Sequence, residues 1–281
     1  MSWVLGVLVF WAMAWTLNVR LAGSALSRVR AGRIAVPALF GITLLVLWEG
    51  LVRGLGVSPV ILPAPTMIGV KIAGSLPILW ADFVQTVFKG ALTGYVMGCG
   101  AGFLVSILID RSPFLTRGLL PIGNFVAALP IIGIAPIMVM WFGFDWQSKA
   151  AVVVIMVFFP VLVNMVAGLQ ASERMQRDLM ATWGASYWQT LFQLRLPAAM
   201  PFLFNGLKIA TTLALIGAIV AEFFGSPIVG MGFRISTEVG RMSMDMVWAQ
   251  IAVAALAGSA FYGGVALIER RVTFWHPSQR V

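Results

Sequence analysis

Charge is what this sequence has least of. Only 10% of its 281 residues are Asp, Glu, Lys or Arg, while 60% are hydrophobic; a soluble domain carries about 25% charged residues. That shortage excludes a soluble globular chain and points to a polytopic membrane protein. Histidine is scarcer still: the single His276 lies near the C-terminus, which argues against His-based metal sites and His-dependent catalytic dyads. Cys99 is the one cysteine and sits inside an apolar run. No intramolecular disulfide or multi-cysteine metal site is available to it, and it reads as a small buried side chain. No G-x-x-x-x-G-K-[ST] occurs, so the chain has no phosphate cradle of its own. Apart from Lys89 and Lys208 near span ends, the apolar cores carry no paired acids or bases, which speaks against an ion channel or ion-driven carrier. An integral-membrane enzyme would need a cluster of His, Asp, Glu or Ser–Lys at one depth, and none is visible.

What is present is a series of long apolar runs. A spanning helix needs about 20 mostly apolar residues. Candidates are 3–17, 35–52, 84–109, 119–141, 150–170, 201–222 and 247–268. The fold class expected is therefore all-α, a polytopic transmembrane bundle of six core spans with an extra N-terminal helix. The run 3–17 has no basic residue ahead of it and has Arg20, Arg28, Arg30 and Arg33 behind it. A signal peptide has the opposite polarity, so 3–17 reads as an extra membrane helix with its N-terminus outside, the alternative being a cleaved or peripheral segment, and 1–34 as that helix with its basic linker. The remainder, 35–281, forms the main transmembrane domain.

The net charge of +9 is read as cytoplasmic Lys and Arg rather than as a nucleic-acid footprint. With 18–34 placed inside and the spans alternating, Arg20, Arg28, Arg30, Arg33, Arg111, Arg117, Arg174, Arg177, Arg195, Arg270, Arg271 and Arg280 all fall inside. Only Arg53, Lys71, Lys149, Arg234 and Arg241 fall outside.

Within this frame several residues stand out. In the outside segment 54–83, Pro63 and Pro65 force extended backbone, and Thr66 is expected to cap a short interfacial helix. Span 119–141 carries Pro121, Pro130 and Pro136. Proline removes a backbone donor and kinks a helix, so this span is either a bent packing helix or a helix lining a translocation path. Asn124, Asn164 and Asn205 lie at membrane depth and face a helix interface or an aqueous path. Gly143 turns the loop 141–149, where Trp141 and Trp146 suit the membrane interface. Glu222 ends the sixth span, ahead of a glycine-rich loop with Gly225, Pro227, Gly230 and Gly232. A carboxylate there is either hydrated at the interface or faces the path.

The longest polar interruption is Ser172 to Pro197. Ser172 is expected to cap a first helix, on which Met175, Leu179 and Trp183 recur at i, i+4 and i+8 and share one face. Gly184 fits a left-handed position after that helix. Ser186 and Gln189 match a capping box that starts a second helix, bearing Tyr187, Trp188, Leu191 and Phe192. Pro197 is expected to stop it, and Pro201 suits the first turn of the next span. The result is a cytoplasmic helix–glycine–helix hairpin whose apolar face awaits either a protein partner or the membrane interface.

These residues resemble the loop E-A-A-x3-G-x9-I-x-L-P of permease subunits of binding-protein-dependent ABC importers. Asp178, Leu179 and Met180 stand at the triplet, Gly184 at the glycine, and Leu194, Leu196 and Pro197 at the ending. The glycine and L-P match; the triplet keeps its acid and loses both alanines. ILPAPT, PIIGIAPIMVMWFG with a following SK, FFPVLVN and IVAEFFG extend the resemblance along most of 35–268, towards the subgroup importing taurine, alkanesulfonates, nitrate and thiamine-type pyrimidine precursors. The helix at 3–17 is outside that pattern.

The resemblance implies an inner-membrane permease acting as a homodimer with a cytoplasmic ATPase and an extracytoplasmic solute-binding protein. The chain itself binds no cofactor, and ATP and Mg²⁺ belong to the ATPase. The hairpin resembles a coupling helix, so Met175, Asp178, Leu179, Trp183, Gly184, Trp188 and Pro197 are the expected coupling residues. Asn124, Pro130, Asn164, Asn205 and Glu222 are the candidates for the path. The solute implied is a small organic molecule, a pyrimidine-like heterocycle ahead of taurine or another sulfonate. The competing class is an ATP-independent channel or secondary carrier.

Overall fold

A computed structural model describes residues 2–24, 29–112, 114–115, 117–118, 123, 125–126, 129–225 and 228–276. Among the described residues every regular element is helical. Six runs are long and apolar enough to cross a membrane: Trp3–Gly23, Gly32–Gly54, Leu76–Arg111, Trp146–Gln170, Tyr187–Phe224 and Met244–Val272. The all-α polytopic bundle expected from composition is the fold found. Two compact units divide the chain.

The first unit comprises 1–76 and 237–251. Its helix α1 (Ser2–Gly23) is longer than the run 3–17 suggests. Asn18 and Arg20 are carried inside its last turns rather than ending it, and 22 residues rise about 33 Å, enough for a hydrocarbon core of about 30 Å. Helix α2 (Arg30–Gly54) meets α1 through Gly50 and Gly54. A Cβ on Gly50 would overlap a Val7 methyl, and one on Gly54 would lie 2.7 Å from the Trp3 ring. Small residues one turn apart let backbones approach where lipid offers no hydrophobic drive between helices.

Helix α3 (Pro65–Gly74) follows Ala64, whose φ of −72° and ψ of 147° are extended as the flanking prolines require. Thr66 is not its cap. It lies in the first turn, where its N–H donates to Glu49 Oε2 (2.9 Å) and its hydroxyl to Glu49 Oε1 (2.7 Å). Ala64 has no side-chain acceptor to offer, and a carboxylate favours a helix N-terminus. Glu49 also pairs with Arg53. In the same unit Lys71 pairs with Asp245 at 3.1 Å, and Trp48 packs edge-on to Trp248 at 4.9 Å.

The second unit comprises 77–236 and 252–281. Leu76–Arg111 is one continuous run: α4 (Leu76–Phe83), a π-helical stretch Val84–Leu92, then α5 (Thr93–Arg111). Helix α6 is Ile131–Phe142 and α7 is Trp146–Gln170. Two short helices follow, α8 (Arg174–Thr182) and α9 (Tyr187–Thr190), then a second π-helical stretch Leu191–Arg195 leading into α10 (Leu196–Phe224). Helices α11 (Met231–Gly240) and α12 (Met244–Val272) follow, with 237–251 belonging to the first unit.

Helix α7 forms the centre of this unit. Val153, Val157 and Val161 are buried with Ala210, Ala214 and Ala218 of α10 and with Ala91, Tyr95 and Cys99. Gly94, Gly98 and Gly102 form a stripe along α5 that lets it approach α7. A Cβ on Gly98 would stand 2.5 Å from a Val157 methyl and 2.9 Å from the Val154 backbone. Cys99 is buried, as the apolar run implies.

Three expectations are corrected here. Pro130 does not kink a helix; it is the extended residue ahead of α6, with φ of −68° and ψ of 116°. Its ring fixes φ without costing a bond at that position. Within α6 and α7 the prolines carried inside the helix are Pro136 and Pro160. Pro121 and Asn124 lie outside the described residues. The second correction is Pro197, which stops nothing: Tyr187–Phe224 is continuously helical, with Pro197 and Pro201 inside it. The π-helical stretch bonds i to i+5, so the turn entering Pro197 tolerates its missing N–H. The third concerns paired charges. Asp82–Arg234, Asp110–Arg195 and Lys208–Glu269 all join helical runs, at 3.0, 2.5 and 2.8 Å. The runs Leu76–Arg111 and Tyr187–Phe224 reach beyond the apolar windows, so Asp82, Asp110 and Arg195, which read as loop residues, are carried on helical runs.

Candidate functional site

The hairpin 172–197 is built almost entirely by local chemistry. Its first helix begins one residue later than expected. Glu173, with φ of −63° and ψ of 142°, is the N-cap, and its N–H donates to Gln176 Oε1 at 3.3 Å. Ser172 is buried ahead of it. At the other end Gly184 has φ of +70°. Its N–H bonds to the Ala181 carbonyl and the Ala185 N–H to the Met180 carbonyl, both at 3.0 Å. This is a Schellman closure. A Cβ on Gly184 would meet nothing within 4 Å, so glycine is demanded by the left-handed backbone and not by space. The second helix opens with the reciprocal box: Ser186 N–H to Gln189 Oε1 (2.7 Å) and Gln189 N–H to Ser186 Oγ (3.3 Å).

The surface this hairpin presents is apolar and open. Met175 and Trp183 are 76% and 75% exposed, and Leu179 is 50% exposed. Asp178 is exposed beside them. Trp188 stacks on Phe192 with ring centroids 6.0 Å apart, and both are exposed. Helix α8 buries no side chain. The two residues replacing small ones part company: Leu179 faces outward while Met180 is half-buried. A ridge of this kind is suited to docking and has no nucleophile, metal cluster or acid–base pair. Among the described residues no group of three or more His, Cys, Asp or Glu is placed to hold a metal.

The path candidates separate. Asn164 and Asn205 meet: Asn205 Nδ2 donates to Asn164 Oδ1 at 3.0 Å, and Asn164 Nδ2 to the Pro160 carbonyl at 2.8 Å. They form a polar link between α7 and α10, and Asn205 is itself exposed. Near Pro130, an apolar cavity of about 130 Å³ is lined by Leu129, Ile131, Ile134, Met156, Pro160 and Leu213.

Glu222 is neither hydrated nor free. It is 1% exposed and accepts from Thr86 Oγ1 at 2.8 and 2.9 Å and from the Gly232 N–H at 2.7 Å. Thr86 Oγ1 in turn accepts the Met231 N–H at 2.8 Å, and Asp82 accepts the Gly230 N–H at 2.8 Å. Arg234 Nε lies 3.0 Å from Asp82 Oδ2. Three side chains thus satisfy three consecutive N–H groups entering α11, donors a helix N-terminus always leaves over. Lys149 is buried nearby in α7, its Nζ donating to the Phe144 carbonyl (2.5 Å). Sequence reasoning does not single out Asp82, Thr86, Lys149 or Arg234 as site residues. Their signal is faint: charged and hydroxyl groups at or just outside the ends of apolar windows, far apart in the chain.

Comparison with known proteins agrees with this architecture. Residues 90–274 match the family described as "Binding-protein-dependent transport system inner membrane component". A formylaminopyrimidine transport permease protein, ThiX of Halalkalibacterium halodurans, is 30% identical over 243 residues, 86% of this chain and 96% of the relative. The riboflavin transport system permease protein RibX of Chloroflexus aurantiacus is 29% identical over 84% of this chain and 88% of its own length. The taurine transport system permease protein TauC of Escherichia coli is 30% identical over 78% and 82%.

Proposed function

This chain belongs to the family of inner-membrane components of binding-protein-dependent transport systems, and we propose that it forms the translocation path for a small nitrogen heterocycle of the formylaminopyrimidine kind. It is a multi-pass permease and not an enzyme. The substrate reading is supported by the ThiX relative, similar along nearly its whole length. Taurine is the second reading, supported by a relative of equal identity over less of the chain.

The observation carrying the mechanism is the exposed ridge of Met175, Leu179 and Trp183 beside a glycine-closed turn. In the proposed assembly two copies of the chain pair, and each hairpin docks in a separate cytoplasmic ATPase that binds ATP and Mg²⁺. An extracytoplasmic binding protein delivers the solute. Because α9 continues without a break into α10, closure of the ATPases moves the hairpin and the long helix as one rigid element, the kind of bistable coupling that alternates access. Asp178 and Trp188 flank the docking ridge, and Pro197 lies on the continuous helix that carries the motion.

The test is reconstitution of the chain with its ATPase and binding protein in proteoliposomes. ATP-dependent uptake of labelled formylaminopyrimidine, competed poorly by taurine, is expected. Preferred taurine uptake would replace the substrate, and uptake indifferent to ATP and to the ATPase would overturn the importer reading. Thermal-shift screening of the binding protein against the same ligands gives an independent substrate assignment.

A further inference from the structure

A docked hairpin transmits force only if something fastens it to the membrane helices on its far side. Helix α8 supplies little such fastening, since none of its side chains is fully buried and only Arg177 and Met180 are half-buried. The second half of the hairpin supplies it, through one guanidinium. Arg195 Nη1 and Nη2 donate to Asp110 Oδ2 and Oδ1 at 2.7 and 2.5 Å, a fork on the last turn of α5. Its Nε donates to the Leu169 carbonyl at 3.1 Å, one of the carbonyls that the end of α7 leaves without a helical donor. Asp110 Oδ2 also accepts the Tyr187 hydroxyl at 2.9 Å, from the first residue of α9. The guanidinium of Arg111, next along α5, stands 5.8 Å from the ring centroids of both Tyr187 and Trp188. The side chains of Arg195 and Asp110 are 14% and 7% exposed, so water screens this junction little.

We propose that Arg195 and Asp110 form a latch that couples the hairpin to the ends of α5 and α7, making them positioning residues for transport. This rests on the reading of the hairpin as the ATPase dock. Three geometric facts carry it. The fork is bidentate, which fixes direction as well as distance. One planar group on the hairpin reaches the ends of two further helices, which a lysine ammonium on a flexible stem does not reproduce. The latch also sits within the π-helical stretch Leu191–Arg195, where the helix is rewound and its side chains re-aimed relative to α10. The hairpin then cannot swing without pulling α5 and α7.

The readout is solute transported per ATP hydrolysed by the reconstituted complex, not total uptake. The wild-type complex is measured first; a wild type without ATP-driven uptake would count against the proposed function. Arg195→Lys keeps the charge and loses the fork and the Leu169 contact. It is expected to co-purify with the ATPase and hydrolyse ATP while moving about tenfold less solute per ATP. Arg195→Ala should do the same or worse. An unchanged ratio in Arg195→Lys overturns the latch. If that variant does not assemble, Tyr187→Phe decides: it removes one hydroxyl bond to Asp110 and should lower the ratio about twofold to fivefold with assembly intact. A wild-type ratio in Tyr187→Phe would overturn the proposal.

Discussion

The Thr86 hydroxyl lies 2.8 and 2.9 Å from the two carboxylate oxygens of Glu222 and accepts the Met231 N–H at 2.8 Å. One side chain therefore joins the π-helical stretch Val84–Leu92, the end of α10 and the start of α11. Its replacement orphans several buried groups at once. Thr86→Val preserves shape and removes the hydroxyl, and it should cost about 1–3 kcal/mol, the penalty of leaving buried polar groups unmet. Glu222→Ala should be at least as costly. Thermal unfolding in detergent measures both; a Thr86→Val variant with wild-type stability would show that water replaces the hydroxyl.

Gly184 invites a backbone experiment. Its φ of +70° and the open space where a side chain would stand predict that cost follows backbone preference rather than size. Gly184→Val should leave membrane insertion intact and abolish solute-dependent uptake. Gly184→Asn should retain a substantial part of it, since Asn visits the left-handed region more readily. Equal transport by Val and Asn variants would contradict the assignment.

Gly98 and Gly100 are two residues apart on α5 and should behave oppositely. Gly98 abuts Val157 and the Val154 backbone, whereas a Cβ on Gly100 meets nothing within 4 Å. Gly98→Val should destabilise by about 1–3 kcal/mol through overpacking, with reduced yield of folded protein. Gly100→Val should be close to neutral. Thermal stability and yield in the same detergent compare them directly.

Asn205 separates packing from passage. Its bond to Asn164 is a single interhelical contact at 3.0 Å, and such contacts are worth about 0.6 kcal/mol on average. Asn205→Ala should therefore barely change stability. A several-fold change in KM for uptake without a change in unfolding temperature would mark it as path-lining; unchanged kinetics would leave it a packing residue.

The features legible in the sequence are those made by neighbours in the chain. The Ser186–Gln189 box and the left-handed Gly184 use residues within a turn of one another, and local chemistry decides them. The features that escape such a reading are made across the chain. Glu49 reaches Thr66 from 17 positions away, so local pattern offers only the nearer hydroxyl as a cap. Asp110 and Arg195 are 85 apart, and Asp82 and Arg234 are 152 apart. Nothing in composition pairs them. Pro197 falls under the usual rule that proline ends a helix; a widened turn, invisible in periodicity, suspends that rule.

Helix α8 has 9 residues and no buried side chain, below the length of about 12–15 residues at which isolated helices become even marginal in water. Its order is borrowed from its cap, its Schellman turn and the long helix that follows. A free peptide copying 172–197 would have to find this shape anew and lose conformational entropy on docking. It should be a poor competitor for any groove the intact hairpin fits. What a partner recognises is a pre-shaped corner, and inhibitors of that contact would need a staple or ring closure across the glycine to match it.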